Sequence, residues 1–170
     1  MSKNKGISEV EANVIRQEKV VRPITWKIDY PGLTNDGDVE VNVNFYVHRD
    51  RGRDEAVRVD NIMFILPRDE VSKRLKVVAS MDDFLKVQEL GKISRIRDDV
   101  YNSIHYMLTE TFDQCEARET SQRYKEVLRV LYHDEECMAK FRHLVMLDTL
   151  MRLLEKPKCF QSEEMQTLFA

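Results

Sequence analysis

Residues 39–47 read VEVNVNFYV, and the reading of this stretch decides the fold. Val39, Val41, Val43, Phe45 and Val47 fall on one side of an extended chain; Glu40, Asn42, Asn44 and Tyr46 fall on the other. A period of two carried by β-branched and aromatic residues marks a strand with one buried face. Upstream, Ile24–Tyr30 repeats the pattern, with Ile24, Trp26, Ile28 and Tyr30 set against Thr25, Lys27 and Asp29. The run Pro31-Gly32-Leu33-Thr34-Asn35-Asp36-Gly37-Asp38 between them is rich in turn residues, so the two strands are expected to pair antiparallel.

Downstream, a second turn at His48–Glu55 leads into Ala56–Leu66. There Val57 and Val59 alternate with Arg58 and Asp60, and Ile62–Leu66 becomes a continuous apolar run before Pro67. The segment reads as a third strand, amphipathic at its start and buried further on. A three-stranded sheet with one apolar face cannot stand alone in water and needs a covering layer.

The remainder supplies that layer. Ser80–Lys156 contains no proline, and its apolar residues recur at steps of three and four: Ile93, Ile96, Val100, Ile104 and Leu108, then Tyr124, Val127, Leu128 and Leu131, then Met138, Phe141, Leu144 and Val145. That is helical periodicity. Asp69 is a candidate cap for a helix through Val71, Leu75 and Val78, although Leu75–Val78 also suits a strand. Ser80-Met81-Asp82-Asp83 opens the next helix, expected to break near Gly91 and resume from Lys92 to Asp113. Another runs from Thr120 or Ser121 to Tyr132. Asp134 caps the last long one, which Pro157 stops. The sequence therefore predicts an α+β chain: a small three-stranded antiparallel sheet in the N-terminal half, covered by a mostly helical C-terminal half of three to four helices. It divides into 1–22, a helix or arm around Ile7–Val21; 23–79, the β meander with a connecting helix; and 80–170, the helical region.

Composition narrows function mainly by exclusion. The formal charge is −3, not the basic balance of a dedicated nucleic-acid binder. Three widely spaced cysteines, Cys115, Cys137 and Cys159, make no disulfide framework and suit reduced thiols in a cytoplasmic protein. The N-terminal residues resemble no signal peptide, and no apolar run approaches the roughly 20 residues a membrane helix needs.

Catalytic signatures are sparse. There is no Gly-x-Ser-x-Gly turn and no glycine-rich phosphate loop. Cys137 sits in the first turn of a helix, where a thiolate is favoured, but a small core residue is the better reading. His133 and Cys137, with Cys115 and His143 elsewhere, fall short of a tetrahedral zinc set because a helix boundary separates the first pair. No catalytic residue, cofactor or metal is expected.

Two features point to partners. Arg49, Arg51, Arg53 and Arg58 crowd one hairpin and are candidate phosphate contacts, although Asp50, Asp54 and Glu55 offset most of their charge. Met146, Met151, Met165, Leu168 and Phe169 form an apolar surplus at the C-terminus, which either packs on its own chain or is a candidate interface with another chain. The expected function is a non-enzymatic, self-associating assembly, adaptor or regulatory factor, of the kind found among accessory proteins of phages and mobile elements. The alternative is a nucleic-acid-binding regulator using the arginine hairpin.

Overall fold

The computed structural model describes residues 24–49, 55–115, 120–155 and 163–170. The expected helix at 7–21, the tip of the arginine hairpin and the stop at Pro157 lie outside them. Four strands form one antiparallel sheet: β1 (Ile24–Ile28), β2 (Gly32–Leu33), β3 (Val39–Arg49) and β4 (Glu55–Leu66). β1 pairs with the second half of β3, from Ile24 opposite Val47 to Ile28 opposite Val43, and β2 pairs with its start. β4 runs along the other side of β3 for its full length. The four strands thus occupy three lanes of a meander, the first lane interrupted around a buried Pro31.

Five helices follow: α1 (Arg68–Ala79), α2 (Asp83–Gln114), α3 (Thr120–His133), α4 (Glu135–Glu155) and α5 (Glu163–Gln166), which runs into a 3₁₀ turn at Thr167–Phe169. The chain is α+β, with a helical C-terminal half. Asp134 caps α4 as expected, its carboxylate accepting the Cys137 N–H at 3.1 Å.

Four details differ from the sequence reading. The leading N–H of α1 is satisfied not by Asp69 but by Asp38, whose carboxylate accepts from Arg68 N at 3.0 Å. The cap comes from the turn before β3, a partner that proximity in sequence does not reveal. Gly91 does not interrupt α2, which is continuous over 32 residues. A glycine costs about 1 kcal/mol in a helix interior, less than breaking a ladder that also carries the buried Ile93. β4 is not buried throughout its apolar run: Phe64 and Leu66 face the helices, while Met63 and Ile65 are 46% and 41% exposed on the uncovered face.

The fourth is a β-bulge. Phe45 pairs with Asp60 but Tyr46 pairs with Arg58, leaving Val59 as an extra residue. Asp60 lies on the helix-covered face in step with Ile62, Phe64 and Leu66, and the bulge lets Val57, three residues before it, share that face. There Tyr132 of α3 donates its hydroxyl to Asp60 Oδ2 at 2.6 Å. Burial, reinforced by the adjacent Asp60 carboxylate, pushes the Tyr132 phenol far above its ordinary value, so it remains a donor.

The core is centred on Phe141 of α4, which is fully buried. Its ring meets one aromatic ring from each lane of the sheet: Trp26 at 5.4 Å, Phe45 at 5.6 Å and Phe64 at 5.6 Å between centroids. α4 is apolar around most of its girth because it lies between the sheet and the other helices, with Phe141, Leu144, Val145, Leu150 and Leu153 all buried. The C-terminal turn docks on α1, where Ser72 Oγ donates to the Leu168 carbonyl at 2.7 Å and Arg68 Nη2 donates to Thr167 Oγ1 at 2.6 Å.

Two stability outcomes are expected. Phe141→Ala empties the meeting point of three rings and should lower unfolding free energy in urea by about 3–5 kcal/mol; a loss under 1 kcal/mol would refute this account of the core. Gly91→Ala should raise it by about 1 kcal/mol, because a Cβ at Gly91 meets nothing within 4 Å.

Candidate functional site

The residues singled out from sequence separate into two groups in the fold. Of the hairpin arginines, Arg51 and Arg53 lie outside the described residues, and Arg49 is placed at the end of β3. Arg58 is engaged within the sheet, donating from Nη1 to Asn44 Oδ1 at 3.2 Å. Asn44 is itself 8% exposed and ties the lanes together, giving its amide N–H to Asp29 and accepting from Asn61 Nδ2 at 2.8 Å. Arg58 therefore belongs to a ladder across the outer sheet face.

The C-terminal apolar set packs inward. Met146, Met151, Met165 and Leu168 are each at most 5% exposed, and Phe169 is half-buried against the core. Leu168 is buried where the 3₁₀ turn docks on α1, and Met146 and Met151 are buried as part of α4. Cys137 is buried as well, its thiol 2.9 Å from the Met107 sulfur. Burial, with Asp134 beside it, pushes that thiol up, away from the reactive thiolate.

Two other places carry unspent chemistry. The first is a cleft of ≈ 390 Å³ between β1, α2 and α4. Its floor is apolar, from Trp26, Ile28, Tyr101 and Leu144; Lys27, Arg97, Asp98, Asp148 and Arg152 line the rest. Asp148 organises it, with its side chain 16% exposed. Arg152, one turn on, contacts Asp148 through Nε at 2.9 Å and lays its guanidinium over Tyr30, 4.9 Å from the ring centroid. Arg97 approaches from α2, with Nη1 at 4.0 Å from Asp148 Oδ1. Desolvation raises the Asp148 pKa, and the two arginines only partly offset it.

The cleft was not among the sequence candidates. A signal was available: Asp148 and Arg152, spaced i, i+4, are the only charged residues in the apolar run Leu144–Leu154. The contribution of Arg97 depends on how α2 crosses α4, and that is not local information.

The second place is the start of α2. Asp82 caps the helix, accepting from Leu85 N at 2.8 Å. Phe84 and Val87 are each 70% exposed and Leu85 48%, and Ile93 is the only buried α2 residue before Ile104. A groove of ≈ 520 Å³ runs beside them, lined by Met81, Leu85, Gln88, Glu89, Gly91, Lys92 and Arg95.

No protein-family model matches the chain, and no curated protein or solved structure matches it either. The two places are read from their own geometry.

The Asp148 environment predicts a pH signature. An acid whose pKa is higher in the folded chain than in the unfolded chain is favoured by protonation, so its ionised form costs stability at neutral pH. That cost fades as pH falls from the folded value toward the unfolded one. Asp148→Asn should therefore melt above the parent at pH 7, with a margin that narrows as pH falls toward about 4. Thermal melts across that range check it; a margin independent of pH, or an Asn variant less stable at pH 7, would contradict the assignment.

Proposed function

We propose that this chain is a non-enzymatic assembly factor that self-associates, pairing the start of α2 with the same segment of a second copy. The supporting observation is the exposure of Phe84 and Val87, 70% each, on a helix whose first twenty residues bury only Ile93. An apolar strip at i and i+3 on a charged helix costs solubility unless a partner covers it.

The charge pattern favours a second copy as that partner. α2 starts with Asp82 and Asp83 and becomes basic at Lys92 and Arg95. An antiparallel pair sets the acidic first turn of each helix against the basic segment of the other, twice by symmetry. Gly91 lies just before the basic segment, in open space within the single chain. The segment gains nothing from this glycine in the monomer and carries its helix-propensity cost.

Light scattering on a size-exclusion peak tests the proposal. The parent should have twice the 20.1 kDa chain mass, and Phe84→Glu with Val87→Glu should give a folded monomer with a nearly unchanged melting temperature. A monomeric parent, or a dimer that survives both glutamates, would reject this interface. Co-eluting nucleic acid released by salt would instead favour the arginine hairpin.

A further inference from the structure

We propose that the cleft between β1, α2 and α4 is a binding site for a small organic monocarboxylate, its apolar body lying on Trp26, Ile28 and Leu144 and its carboxylate held by Arg97. The site is separate from the self-association face: Arg97 lies about 20 Å along α2 from Phe84.

Three observations carry the inference. The volume of ≈ 390 Å³ falls in the range of small-molecule pockets, and the floor is apolar with two aromatic side chains, Trp26 and Tyr101. Lys27 points to the opposite face of β1 from Trp26 and Ile28, so the charges at the cleft are Arg97 and Arg152 against Asp98 and Asp148. A single negative charge on Arg97 meets less repulsion from Asp98 and Asp148 than a phosphate dianion would.

The third observation is how the two arginines are engaged. Arg152 is committed, with Nε on Asp148 at 2.9 Å and its plane on Tyr30. The contacts of Arg97 with Ser94, Asp98 and Asp148 run from 3.4 to 4.0 Å, beyond the range of good N–H···O bonds. Its guanidinium is held in place by charge without being saturated. An incoming carboxylate replaces these long contacts with a short, charge-assisted, two-pronged pair. Asp148 acts as a positioning residue: it holds both guanidinium groups at the cleft and stays behind them.

Trp26 is the sole tryptophan in the chain and lies on the cleft floor, so its fluorescence reports occupancy. The full chain is titrated with hexanoate, hexylamine and hexyl phosphate, with calorimetry in parallel. Hexanoate should give a saturable change and hexylamine none, and hexyl phosphate should bind more weakly than hexanoate. Arg97→Gln should weaken hexanoate roughly ten- to a hundredfold with an unchanged melt, and Arg129→Gln, on α3 away from the cleft, should leave it unaltered. If Arg97→Gln melts early, Arg97→Lys, which keeps the charge and loses the two-pronged geometry, takes its place and should also weaken binding. Absence of saturable hexanoate binding by both methods, an equal response to hexylamine, tighter binding of hexyl phosphate, or parent-like affinity in the Arg97 variants would overturn the proposal. Because Phe84→Glu/Val87→Glu leaves the cleft intact, its binding of hexanoate separates failure of the cleft from failure of the dimer.

Discussion

The structure depends on the contact of one helix ring with three lanes of a sheet. Phe141 touches Trp26, Phe45 and Phe64, so α4 is held against every lane at a single level. Close-packed interiors accept few alternatives at such a point, because a ring that meets three others has little freedom to move without losing contact with one. The other helices are arranged around that commitment. α2 reaches Trp26 through Tyr101 and His105, and α3 reaches Phe45 through Tyr132.

Much of this architecture is legible in the chain because its signals are local. The alternation of Val39–Val47 and the three- and four-residue steps of Ile104–Leu108 and Val127–Leu131 each require one face to be covered. What was not legible depends on contacts between distant residues. Asp38 caps a helix that begins thirty positions later. A one-residue bulge at Val59 lets Val57 and Asp60 share one face, and its only local sign is the shift of apolar residues from odd to even positions. Gly91 reads as a break only if its propensity cost is weighed without the helix around it. The place of the last turn was open in the sequence because its partners on α1, Arg68 and Ser72, lie about a hundred residues upstream.

The same distinction separates the two candidate places from the rest. The exposed Phe84 and Val87 are apolar residues that the monomer does not use, and Asp148 is a carboxylate that the core holds at a cost. Folding alone rewards neither. A polar group at that depth is tolerated when its counter-charges are fixed around it, and Arg97 and Arg152 are fixed from two different helices. The arrangement gives the cleft a rigid rim above an apolar floor. The start of α2, by contrast, is held mainly by its cap and by Ile93.

The bulge at Val59 also bears on how the strands find their alignment. β3 and β4 are long and paired over eleven positions, and two such strands can in general slide past each other in steps of two without exposing their apolar faces. Here sliding would carry Asp60 away from the Tyr132 hydroxyl and bury the phenol without its acceptor. The helix layer therefore acts as a key for the sheet: the paired strands fit beneath α3 in one register, and a contact across 72 positions holds it.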